Sequence, residues 1–133
     1  MRATTRRAAR FLIGHDNPGL PKEWVNRIAE HLLPDGTKRA VLRLYRSTRV
    51  EDFDALVEPL RDRDPDTLVV FGAADVYIPV ELAERQRRAF PRARVEILPG
   101  VGHWAWLEQP DRVAGLVVPF LRERVGTVVQ KPN

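Results

Sequence analysis

The 133-residue chain has no cysteine and a single serine, Ser47. The first absence excludes disulfides, thiolate metal sites and a cysteine nucleophile. The second leaves no G-x-S-x-G: Ser47 lies between Arg46 and Thr48 in a stretch that reads as helix, not on a strained turn. Long apolar runs are also missing. Nothing approaches the roughly 20 residues needed to cross a bilayer. Phe11-Leu12-Ile13-Gly14, which follows the arginines at 2, 6, 7 and 10, is too short for the apolar part of a signal peptide. The 8 glycines and 11 prolines are scattered, which excludes low complexity. These absences predict a soluble, cytoplasmic protein with no membrane partner.

What is present suits one folded domain. Hydrophobic residues make up 44% and charged residues 30%, so a core of useful size can form. The net charge of +4 comes from arginines on mixed-charge stretches such as Glu84-Arg85-Gln86-Arg87-Arg88. The aromatics sit in apolar runs and are not interleaved with the basic residues. A solvated arginine-rich surface is therefore expected, with no nucleic acid bound.

Along the chain, residues 1–20 show no firm period and end in the turn signal Asn17-Pro18-Gly19. Residues 21–33 read as a helix with Trp24, Ile28 and Leu32 on one face. Residues 37–48 fit a helix or a strand, with helix favoured. Residues 52–62 read as a helix with Phe53, Leu56, Val57 and Leu60 on one side. Thr67–Phe71 is a continuous apolar run between turn residues, as expected of a strand buried on both faces of a parallel sheet. A helix over Pro79–Phe90, a strand over Arg94–Leu98 and a helix over Leu107–Arg124 follow. The rhythm is that of a parallel α/β sheet. Two parallel strands need further neighbours, and the first should present an unpaired edge.

Two loops carry the chemistry. Asp75 lies just past the first strand and His103 just past the second. In an open α/β sheet reactive groups gather beyond the carboxyl ends of strands. One helix and one strand separate the loops, which places them side by side. An Asp beside a His fixes its tautomer and stabilises the imidazolium formed when the ring takes a proton. Gly100 and Gly102 let the backbone fold tightly around the ring. Trp104 and Trp106 are expected to wall the pocket or pack under the last helix, Tyr77 and Phe71 to line pocket or core, and His31 to lack a role.

Three stretches, TLVVFGAADVYIP, RVEILPGVGHW and LEQPDRVAGLVVPFL, resemble the end of α/β hydrolases, in the branch of haloalkane dehalogenases, epoxide hydrolases and related esterases. Gly72, Asp75 and Pro79 match G-x-x-D-x-x-x-P. Gly102, His103 and Trp104 match the histidine motif. Glu108, Pro110 and Val113 match E-x-P-x-x-V. The resemblance covers residues 66–123 and implies Asp75 as triad acid and His103 as general base. It also implies hydrolysis of an ester, epoxide or carbon–halogen bond in a small apolar substrate, with no metal or organic cofactor. Residues 20–62 look like the end of a helical lid.

The expected architecture is thus α/β: a partial α/β-hydrolase fold of two parallel C-terminal strands with flanking helices, preceded by lid-like helices. The expected division is a lid-like segment over 1–62, core over 63–125 and a flexible tail over 126–133. Without a nucleophile the chain is expected to be truncated and inactive alone, paired with an N-terminal half or with itself. Two alternatives stay open. Phe11–Gly19 mimics a G-H-D-x-G elbow, which would make Asp16 a nucleophile in a compressed hydrolase, although Pro18 stands where a small residue is needed. The other is a non-catalytic domain that binds a partner or a small apolar ligand.

Overall fold

The computed structural model describes residues 2–32 and 34–129. Four helices come first: α1 (Arg2–Asp16), α2 (Lys22–Leu32), α3 (Asp35–Ser47) and α4 (Val50–Arg63). Then follow β1 (Leu68–Gly72), α5 (Glu81–Arg85) with a 3-10 turn over Gln86–Arg88, β2 (Arg94–Leu98), α6 (Ala105–Glu108) and α7 (Pro110–Val129).

The punctuation is local chemistry. The Trp24 and Val25 N–H groups donate to the Pro21 carbonyl and open α2. Asp64 ends α4 in a left-handed conformation at φ 36°, its N–H donating to Leu60 O at 2.9 Å, and Pro65 blocks continuation. Gln109, at φ −137°, separates α6 from α7, and Pro110 starts α7, a position where a missing N–H costs nothing.

β1 and β2 pair in parallel, and the register sets Leu68 against Arg94 and Gly72 against Leu98. Both strands therefore end at one sheet edge. Among the described residues the sheet has these two strands.

The apolar interior has two parts. Leu98, Val101 and Ala105 form one, covered by Val70, Val113 and Leu116. Ile13, Leu20, Val25 and Ala29 form the other, with Trp24, Ile28, Trp104 and Leu107 packed on it. Fully burying one such Leu or Val is worth about 1.5–3 kcal/mol, so each cluster stabilises its own region by several of these. Trp104 joins them, since it follows the sheet cluster in sequence and packs on the helical one.

Several expectations need correction. Residues 2–16 are helix although their sequence shows no firm period, so Phe11–Gly14 is not a strand and Asp16 closes a helix. The elbow that would make Asp16 a nucleophile needs a strand before the turn, and that reading is overturned. On α2, Trp24 and Ile28 pack on the helical core beside the buried Val25 and Ala29, whereas Leu32 is exposed. Phe53 and Leu56 of α4 face outward, and none of α3's side chains is buried. β1 is half-buried, in keeping with one paired neighbour. The helix expected over Pro79–Phe90 shrinks to Glu81–Arg85 and its 3-10 turn. The last helix breaks at Gln109 and runs on to Val129, while residues 130–133 of the expected tail lie outside the described residues, as does Leu33.

Candidate active site

β1 delivers Asp75 and β2 delivers His103, and their loops are sewn together before either side chain is reached. The Ala73 N–H donates to Leu98 O at 3.0 Å and the Ala74 N–H to Val101 O at 2.8 Å. A Cβ on Gly72 would overlap the carbonyl oxygens of Val101 and Gly102, so the close approach requires glycine there. Gly100, at φ +73°, turns the second loop back toward the first.

Asp75 uses both carboxylate oxygens. Oδ1 accepts the N–H groups of Tyr77 at 2.8 Å and Ile78 at 3.0 Å, a side-chain-closed turn. Oδ2 accepts the Nδ1–H of His103 at 2.8 Å. The Asp75 side chain is 4% exposed and that of His103 29%. Burial, the largest single influence, pushes the Asp75 carboxyl up. The hydrogen bond from His103 and those from the Ile78 and Tyr77 N–H groups together outweigh it, and the carboxyl is held below its usual range. An ionised carboxylate only accepts, so Nδ1 carries a proton, and in the neutral ring this leaves the lone pair on Nε2.

The imidazole is walled by Tyr77 and Trp104, both edge-on, with ring centroids 5.1 and 5.0 Å away. Trp106, expected nearby, is instead turned to solvent at 57% exposure. Burial, followed in strength by an opposing hydrogen bond from Asn17 and then by the Asp16 carboxylate, leaves the Tyr77 phenol raised. It remains a neutral donor, to Asp16 Oδ2 at 3.1 Å. Asp16 is lowered by its hydrogen bonds with His15 first and Tyr77 second. Ser47 is elsewhere occupied, its hydroxyl donating to Leu44 O at 3.1 Å. His31 is exposed on α2.

Two participants escaped the sequence reading. Asn17, part of the turn signal Asn17-Pro18-Gly19, is 1% exposed and accepts the His103 N–H. Glu108, read only as part of a helix-start motif, accepts the Gly102 N–H at 2.9 Å through Oε2. The signal for Asn17 was faint, a polar residue between Ile13 and Leu20. Among the described residues no three His, Cys, Asp or Glu side chains converge as a metal site, and no helix is long and apolar enough to cross a membrane.

Known proteins resemble this chain over part of their length. The chain is 31% identical over 78 residues to the 2-hydroxymuconate semialdehyde hydrolase of Pseudomonas putida, a match covering 59% of this chain and 28% of that one. It is 28% identical over 82 residues to the sn-1-specific diacylglycerol lipase ABHD11 of Mus musculus, covering 59% and 27% respectively. The crystal structure of a His-tagged serine hydrolase involved in carbazole degradation (CarC enzyme) superposes with a TM-score of 0.68 at 26% identity, covering 89% of this chain and 47% of that one. The matches thus span under a third of each of these curated relatives. Residues 2–116 match the model of the alpha/beta hydrolase family, and with strand ends, acid and imidazole arranged as described, the chain belongs to that family.

Proposed function

We propose that Asp75 and His103 are the acid and the general base of a hydrolytic site for a small, apolar ester or related epoxide or carbon–halogen substrate. The contact that carries this reading is the 2.8 Å hydrogen bond between His103 Nδ1 and Asp75 Oδ2. With Nδ1–H committed to the carboxylate, Nε2 is the atom that takes a proton from a nucleophile or a water and later returns it to the leaving group. Asp75 holds the ring in that tautomer and stabilises the imidazolium in between. Residues 1–62 act as lid, over the core of residues 63–125.

No G-x-S-x-G is among these 133 residues and Ser47 is bound to its own helix, so the reading assigns this chain the acid and the base and no serine nucleophile. The chain alone is therefore expected to hydrolyse an activated short-chain ester at the background rate, with or without His103→Ala. The decisive assay is a chimera in which the part of this chain that superposes on the serine hydrolase involved in carbazole degradation replaces the superposed segment of that enzyme. The chimera should hydrolyse that enzyme's substrate, and His103→Ala should cost on the order of 10⁴-fold in kcat. An active chimera indifferent to His103→Ala would exclude the reading.

One observation favours a second reading, that of a partner-binding domain. Tyr45 on α3 is 77% exposed and Phe53 on α4 58%, with Leu44 and Leu56 exposed beside them in sequence. Retained hydrolysis in the chimera would decide for the enzyme.

A further inference from the structure

Asn17 lies 86 residues from His103 in sequence yet holds its backbone. Its Oδ1 accepts the His103 N–H at 3.2 Å. Its Nδ2 donates to Ile13 O at 3.0 Å and to the Tyr77 hydroxyl at 3.3 Å. Its own backbone is engaged as well, the N–H with Ile13 O and the carbonyl with Leu20 N. A buried amide satisfied at both ends is held in one orientation, because any rotation strands a donor or acceptor away from water.

The neighbouring N–H is held in the same way. Gly102 donates to Glu108 Oε2, so two successive backbone amides meet two side-chain acceptors from different elements. A Cβ at Gly102 would lie 2.7 Å from Glu108 Oε1 and 3.0 Å from Asn17 Oδ1, and the acceptors converge because that carbon is missing. Asn17 also reaches the acid. Through Tyr77 it touches the residue whose N–H binds Asp75 Oδ1 and whose ring packs on the imidazole.

We infer that Asn17 is a positioning residue for the acid–base pair: it seats the His103 backbone and the Tyr77 hydroxyl from the end of α1, so that Nδ1–H points at Asp75. This rests on the acid–base reading of Asp75 and His103. It assigns a residue of the helical segment, outside the strand-end loops, to the geometry of the site. A shift of α1 would carry Asn17 with it and release the imidazole.

The test uses the full 133-residue chain with isotope-labelled histidine, and reads the His103 ring by NMR, which needs no substrate. In the unaltered chain His103 is expected as the Nδ1–H tautomer. Its backbone amide, which faces no backbone acceptor, is expected to be protected from solvent exchange about ten-fold or more. Asn17→Ala should speed exchange of the ring Nδ1 proton by about ten-fold and populate the other tautomer. Asn17→Asp, which keeps an acceptor for the His103 N–H, should restore part of the amide protection. A folded Asn17→Ala protein with unchanged tautomer and exchange overturns the inference. Should that variant not fold, the His103 amide of the unaltered chain decides: free-peptide exchange overturns the inference and protection supports it. Asp75→Asn separates the two claims. If it leaves the ring tautomer unaltered, the acid–base reading fails, whatever Asn17 does.

Discussion

Gly72 and Gly102 meet backbone to backbone: a methyl group on the first would overlap the carbonyl oxygen of the second and lie 2.9 Å from the carbonyl carbon of Val101. The obstacle is main chain on both sides, so no side chain can swing away to make room. Gly72→Ala is expected to destabilise the fold by about 3 kcal/mol or more, because the two loops must part. Urea denaturation measures this, and exchange of the His103 Nδ1 proton should speed up in the same variant.

Glycines without such neighbours should respond in the opposite sense. Gly115 lies within α7 and a Cβ there would meet nothing within 4 Å. Gly115→Ala is expected to stabilise by roughly 0.5–1 kcal/mol, since alanine is the better helix former. Gly100 also has open space, but its φ of +73° penalises any Cβ, and Gly100→Ala should cost about 1–2 kcal/mol. Thermal denaturation of the two variants should shift the midpoint in opposite directions.

Acid should weaken the fold through Asp75. Its carboxyl is held below the ordinary value of 3.8, so it stabilises the folded chain fully above that value. The contribution is lost as pH falls through the lowered folded value, when the carboxylate is protonated and releases His103. Asp75→Asn should therefore flatten the acid limb of a stability profile measured between neutral pH and about pH 2. An identical acid limb in the variant would contradict this account.

Glu108 offers a test of burial against hydrogen bonding. Oε2 holds the Gly102 N–H, whereas Oε1 is buried without a partner among the described residues. Glu108→Ala strands the Gly102 donor and should cost about 1–3 kcal/mol. Glu108→Gln keeps an acceptor oxygen for the Gly102 N–H, so its stability should stay within about 1 kcal/mol of the parent. Chemical denaturation of the pair distinguishes the two effects.

The strand-end loops were legible because their chemistry is local. TLVVF and RVEIL are bounded by turn residues, and Asp75 and His103 follow them at short, countable intervals. The same logic identified α3 and α4 but not what covers their apolar stripes. Phe53 and Leu56 obey a helical period and still face outward, because periodicity reports amphipathicity and not what covers the apolar side. α1 was missed since its first residues, RATTRR, carry little apolar signal, and Phe11 and Leu12 are exposed. Asn17 could not be found by spacing at all. Its partners Tyr77 and His103 are 60 and 86 residues away, and only the folded chain brings them together.

Trp104 packs with Ile13, Leu20, Val25 and Ala29, whereas Leu98 and Val101, a few positions earlier, belong to the sheet's own interior. His103 thus straddles a seam between two apolar cores that need not melt together. On warming, separation of the helical core would disarm the imidazole while the paired strands remain intact. Heat inactivation of any enzyme built on this chain would then precede loss of β-structure, and tryptophan emission would report the earlier event.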